Sequence, residues 1–122
     1  MSEAQYRAAV QHYEAAWNER DPQRRASELE LAWGADALYV DEDVPEGVRG
    51  RDALGALIAS EHADEPGLVI TTTRALVLLG DRGWLQWASQ SDRGTTLSGT
   101  DFIEFSPDGL IARLTDFLDA EA

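Results

Sequence analysis

Between Ser2 and Trp17 the apolar positions Tyr6, Val10, Tyr13 and Trp17 recur at intervals of four, three and four, which is one face of an amphipathic helix. Ser2 and Gln5 stand three apart at its start, the spacing of a capping box, and Asn18 to Asp21 close it. Asp21-Pro22 opens a second helix, with aspartate as N-cap and proline in the first position, where its missing N–H costs nothing. That helix carries Ala26, Leu29, Leu31, Ala32 and Trp33 until Gly34 stops it. Leu38-Tyr39-Val40 reads as a short strand, the acidic stretch Asp41 to Gly47 as a turn, and Val48-Arg49 as a brief return pairing. Asp52 is the expected cap of a third helix through about Ala63, with Leu54, Leu57 and Ile58 apolar.

From Gly67 onward the period changes to two. Four runs, Leu68 to Leu79, Trp84 to Ser91, Thr96 to Phe105 and Leu110 to Leu118, are separated by glycine-containing turns and predict a meander of antiparallel strands. No repeat, low-complexity tract or linker interrupts the chain, so residues 1–122 read as one α+β domain. Its expected form is a cone-shaped roll, three N-terminal helices packed on a strongly curved antiparallel sheet.

A four-residue loop Ser106 to Gly109 would set Phe105 opposite Leu110 and Asp101 opposite Leu114. One face of that hairpin then holds Leu97, Asp101, Ile103, Phe105, Leu110, Ala112, Leu114, Asp116 and Leu118. Two carboxylates interrupt an otherwise apolar surface, and this face is assigned to the helices. The opposite face, with Thr100, Phe102, Glu104, Ile111, Arg113, Thr115 and Phe117, is mixed and suits solvent or a partner subunit. The same loop rule at Ser91 to Gly94 brings Trp84, Gln86 and Ala88 beside Asp101. A loop one residue different would substitute Leu85 and Trp87.

Composition narrows the chemistry. The chain of 122 residues is 43% hydrophobic with a formal charge of −13, which repels nucleic acid and anionic membrane surfaces. All ten basic residues are arginine, so Schiff-base and phosphate-loop lysine chemistry is closed, and with no cysteine there is neither disulfide nor thiolate. The start has no basic region followed by an apolar core, and no apolar run approaches a bilayer crossing, so a cytoplasmic location is expected.

An ionised carboxylate on an apolar face is costly, and its usual response is a raised pKa. As diagonal neighbours across two strands, Asp101 and Asp116 would disfavour each other's charge, leaving at least one protonated at neutral pH. Each could instead bind a local donor at the core edge, or face water if the register slips by one. Tyr13, on the buried stripe of the first helix, needs a partner for its hydroxyl, which a carboxyl group beneath it would supply. His12 points away from that stripe, and His62 sits at a helix end, where the dipole favours it. The acidic residues from Asp41 to Glu46 lack the spacing of a calcium loop, and two distant histidines offer no zinc set, so no metal is expected.

The segments Ala35 to Asp41, Gly50-Arg51-Asp52-Ala53-Leu54, Gly99 to Phe105 and Asp108 to Ile111, in this order after helices, resemble the nuclear-transport-factor-2-like superfamily in its SnoaL-like and ketosteroid-isomerase-like branch. The resemblance spans nearly the whole chain and implies an apolar pocket between helices and sheet, with dimers formed through the sheet's outer face. It matches Tyr13, Asp41 and Asp101 to the isomerase tyrosine, general base and protonated aspartic acid. Asp116 is similar to the last-strand aspartate that serves as base in SnoaL-like polyketide cyclases, so Asp41 and Asp116 both stand as candidate bases. Glu42 stands where such isomerases carry proline, and the arginine-x-aspartate pair of limonene-type epoxide hydrolases is missing from Trp84 to Ser91. The resemblance therefore implies cofactor-free acid-base isomerisation or cyclisation of an apolar carbonyl compound, with Trp17, Trp84, Gln86, Leu114 and Leu118 as substrate-binding residues. The rival expectation is a non-catalytic ligand-binding or dimeric assembly module of the same fold.

Overall fold

The computed structural model describes residues 2–119. Helix α1 spans Glu3–Asn18, α2 Pro22–Ala32 and α3 Arg51–Asp64, and strands β1 Trp33–Val40, β2 Val48–Arg49, β3 Val69–Leu79, β4 Arg82–Gln90, β5 Thr96–Phe105 and β6 Ile111–Leu118 form one sheet in the order β2-β1-β6-β5-β4-β3. The capping box at Ser2 and Gln5 is formed, and the Asp21 side chain accepts from the Arg24 amide. The sheet is mixed, because β1 runs parallel to β6 while the other neighbours are antiparallel.

Three local expectations are corrected. Gly34 ends no helix: α2 stops at Ala32, and the chain passes directly into an eight-residue strand beginning at Trp33. That strand can start early because its first residue, Trp33, is wholly buried, pairs with Ile111 and stacks on Tyr13 with ring centroids 5.7 Å apart. Asp52 lies in the first turn of α3 and the N-cap is Gly50, whose φ of 91° is a left-handed value that glycine adopts without strain. Leu31 and Ala26, expected inside, are exposed, and the inward residues of α2 are Leu29, Ala32 and the aliphatic stem of Arg25.

Register decides the site. Between β4 and β5 the partners are Gln90 and Thr96, leaving a five-residue loop, one longer than expected. That single step exchanges the faces of β4: Leu85 and Trp87 point inward, while Trp84 and Gln86 lie on the outer face, where the Arg74 guanidinium sits 5.1 Å from the Trp84 ring. Between β5 and β6 a longer loop and an irregularity after Glu104 shift the pairing by two residues. A shift of two keeps the faces, so Asp101 and Asp116 still share the inner side, now directly opposite rather than diagonal. The irregularity also turns Ile111, expected outside, into the fully buried partner of Phe105. The core joins Leu29, Leu54 and Ile58 of the helices to Leu85, Ile103, Ile111 and Leu114 of the sheet.

Candidate functional site

A hollow of about 160 Å³ lies between α1, the end of α3 and the inner face of the sheet. Its aromatic walls are Tyr13 and Trp17 from α1, Tyr39 from β1 and Trp87 from β4. Eight carboxyl groups line it: Asp101 and Asp116 from the sheet, Asp41, Glu42 and Asp43 from the turn after β1, Glu14 from α1, Glu61 from α3 and Glu65 from its C-cap. No arginine or histidine lines it.

Asp101 is 6% exposed, and burial together with the facing Asp116 raises its pKa well above the ordinary 3.8. The two carboxyl groups face each other directly across β5 and β6, and the more deeply buried Asp101 holds its proton the more tightly of the two. Asp116 is pushed up to about 6, with burial as the main cause, opposed by the hydrogen bonds it accepts. Trp87 donates its indole N–H to Asp116 Oδ1 at 3.1 Å, and the Tyr39 hydroxyl lies 3.3 Å from Asp116 Oδ2.

Gly99 makes the Trp87 contact feasible. It is the residue paired with Trp87 across β4 and β5, and a Cβ there would stand 2.7 Å from the indole and 2.6 Å from the Phe117 carbonyl oxygen. Only a bare backbone lets the ring lie flat across β5 and reach Asp116.

Asp41 is held from both sides. Its Oδ1 accepts the amides of Asp43 at 2.9 Å and Val44 at 3.0 Å, which builds the acidic turn, and its Oδ2 accepts the Tyr39 hydroxyl at 2.8 Å. Tyr39 therefore bridges Asp41 and Asp116, and its own pKa is raised by burial and by the charges of these neighbours. Tyr13 is 4% exposed, and burial followed by Asp101 and Asp116 raises its pKa well above 10.0. Its hydroxyl donates to no protein acceptor among the described residues and opens on the hollow. The neighbouring indole Nε1 of Trp17 favours the phenolate slightly and is buried without a hydrogen-bond partner.

Of the residues singled out from sequence, Tyr13, Trp17, Asp41, Asp101, Asp116 and Leu118 line the hollow. Trp84 and Gln86 are excluded by the β4 register, and Leu114 is sealed in the core beneath the cavity floor. His12 meets Glu28 at 2.7 Å outside the hollow, and His62 lies 2.7 Å from the Trp17 carbonyl oxygen. Tyr39, Glu14 and Glu61 are lining residues that sequence reasoning missed, while Leu85 and Trp87 line the hollow as the alternative loop length implies. Tyr39 was accessible to it, because strand alternation puts residues 39 and 41 on one side. Glu61 and Glu14 gave no signal, since an acid on a helix ordinarily reads as solvated. Among the described residues no group of three or more acids and histidines is placed to hold a metal ion, and no helix is long and apolar enough to cross a membrane.

The family model of the SnoaL-like domain matches residues 9–114. A candidate isomerase of the SnoaL-like family from Agrobacterium tumefaciens superposes with a TM-score of 0.84 at 28% identity, covering 96% of this chain and 99% of that one. A candidate ketosteroid isomerase from Kribbella flavida gives 0.74 at 25% identity, covering 98% and 81%. An NTF2-like protein of unknown function from Exiguobacterium gives 0.74 at 18% identity over 93% and 99%, a likeness of fold. No curated protein matches the sequence. With the matched model covering well over half of the chain, from within α1 to the first half of β6, the chain belongs to the SnoaL-like domain family.

Proposed function

We propose that the hollow is a cofactor-free acid-base site that moves a proton α to the carbonyl of a small apolar ketone, with Asp116 as the base. The observation that carries this reading is the facing Asp101 and Asp116 pair beneath aromatic walls, where burial raises the Asp101 pKa well above its ordinary value and pushes Asp116 up to about 6. A base titrating near 6 is ionised at neutral pH yet retains useful proton affinity. Asp41, the rival base, has its oxygens engaged by two amides and a phenol, and its role is to orient Tyr39.

In the ground state Asp101 donates to Asp116. When Asp116 accepts the carbon-bound proton it no longer needs that donor, and the Asp101 proton, with the free Tyr13 hydroxyl, serves the enolate oxygen. Returning the proton from Asp116 to another carbon completes an isomerisation, and attack of the enolate on a second carbonyl within the same substrate gives a cyclisation. A hollow of about 160 Å³ is comparable to one that holds a single benzene ring, so a one-ring ketone fits better than a steroid.

Exchange of the α-protons of phenylacetone in D2O, followed by NMR, tests the reading. The expected result is catalysed exchange whose rate rises with pH through about 6 as Asp116 loses its proton. The Asp116→Asn variant should lose on the order of 10²-fold or more, and Tyr13→Phe about 10²-fold. Exchange no faster than buffer, or full activity in Asp116→Asn, overturns it.

We also propose a homodimer formed through the outer sheet face. Trp84 pairs with Phe102 there and Phe117 lies one row away, with Phe102 and Phe117 38% and 57% exposed. Contiguous exposed aromatics of this kind favour association.

A further inference from the structure

The lining of the hollow is chemically one-sided, and no basic group offsets it. None of the ion pairs among the described residues involves a lining carboxylate. Six arginines donate to backbone carbonyls instead, those of Leu76, Leu68, Glu19, Asp36, Trp33 and Asp64, and Arg74 lies on Trp84 outside the sheet. At the mouth, Glu61 of α3 and Glu65 at its C-cap face Asp41 and Asp43 from the turn after β1, and burial, followed by repulsion from these acids, holds the Glu61 proton more tightly than usual. Such clustering is electrostatically unfavourable for the empty protein, and a bound cation would relieve it. Deeper in, Trp17, Tyr39 and Trp87 present aromatic surface, which attracts organic cations as well as apolar rings. The buried Tyr13 hydroxyl, donating to no protein acceptor, supplies an independent sign that the hollow is built to meet a ligand, and one with an oxygen acceptor.

We infer that the ligand is an organic cation, a compound with a protonated or quaternary amine at the pocket mouth among Glu61, Glu65 and Asp43 and an apolar, oxygen-bearing body among the aromatic walls. This rests on the proposed acid-base site and narrows its substrate class to amino ketones, preferred over neutral ketones such as phenylacetone, which the site turns over with weaker binding. Carboxylates, phosphates and acyl groups on anionic carriers are excluded by the same field. The amine contributes affinity at the mouth, and the carbonyl end meets Tyr13.

Three probes with one body and different charge decide the matter: 2-phenylethylamine, 2-phenylethanol and phenylacetate, titrated against the protein by calorimetry or by tryptophan fluorescence. The amine should bind at least tenfold more tightly than the alcohol, and phenylacetate more weakly than either. Raising sodium chloride from about 50 to about 500 mM should weaken the amine severalfold and leave the alcohol almost unchanged, because screening acts on charge alone. In Glu61→Gln, whose side chain makes no hydrogen bond among the described residues, the preference for amine over alcohol should shrink at least threefold at a melting temperature that does not fall. Equal affinities of amine and alcohol, no binding of the amine, or a preference untouched by salt and by Glu61→Gln overturns the inference. Failure of phenylacetone exchange with the amine preference intact would sink the catalytic reading alone, and exchange without the preference would sink this one alone.

Discussion

Asp101→Asn replaces the buried, protonated carboxyl with a neutral group of the same shape that still donates to Asp116. In the parent protein the folded state binds Asp101's proton more tightly than the unfolded chain, whose carboxyl titrates near 3.8. Stability contributed by that proton is therefore complete below about pH 4 and is lost as pH rises toward the folded pKa, at up to about 1.4 kcal/mol per pH unit. Asp116 adds a loss of the same sign between its ordinary 3.8 and its folded value of about 6, worth about 3 kcal/mol in total at the full shift. Urea denaturation at half-unit intervals from pH 4.5 to 8.5 gives both curves. The parent should keep weakening as pH rises above 6, whereas Asp101→Asn should lose stability less steeply below pH 6 and flatten above it. Subtracting the curves removes the general repulsion of a chain with charge −13, which both proteins share. Parallel curves for parent and variant would refute the raised pKa of Asp101.

Gly99→Ala should destabilise the fold by about 1 to 3 kcal/mol, because the added methyl meets the Trp87 indole and the Phe117 carbonyl, and urea midpoints measure it. In the same variant, loss of the Trp87 hydrogen bond should move the Asp116 titration above 6, readable by carboxyl NMR. Tyr39→Phe removes a donor shared by Asp41 and Asp116, so the pH profile of ketone exchange should shift upward, and an unshifted profile would deny the bridge. Phe102→Glu should convert a dimer to monomer in sedimentation equilibrium, and no change in mass would remove the outer face as the interface.

Much of the architecture was legible because local rules agreed with tertiary needs. The stripe from Tyr6 to Trp17, the cap at Asp21 and the change of period after Gly67 all correspond to observed elements. Where reading failed, the cause was loop length. One residue more between β4 and β5 than the four-residue loop rule allows turned Trp84 and Gln86 outward and brought Leu85 and Trp87 in, the stated alternative, since strand faces reverse with every single step. The acids of the last hairpin survived a larger error only because it amounted to two residues. Trp33 was read as the end of a helix because an aromatic residue before glycine fits a stop signal, yet its burial against Tyr13 extends the strand instead. The acidic lining beyond the sheet was illegible, because α1, the turn after β1 and the end of α3 each contribute to it and none alone departs from an ordinary solvated surface.

The most direct measurement is the carboxyl 13C titration of Asp101 and Asp116, assigned by the Asn variants, between pH 3 and 9. One resonance should titrate near 6 and the other well above the ordinary 3.8. Two titrations near the ordinary 3.8 would mean that neither acid holds a proton at pH 7 and that no poised base exists in this pocket.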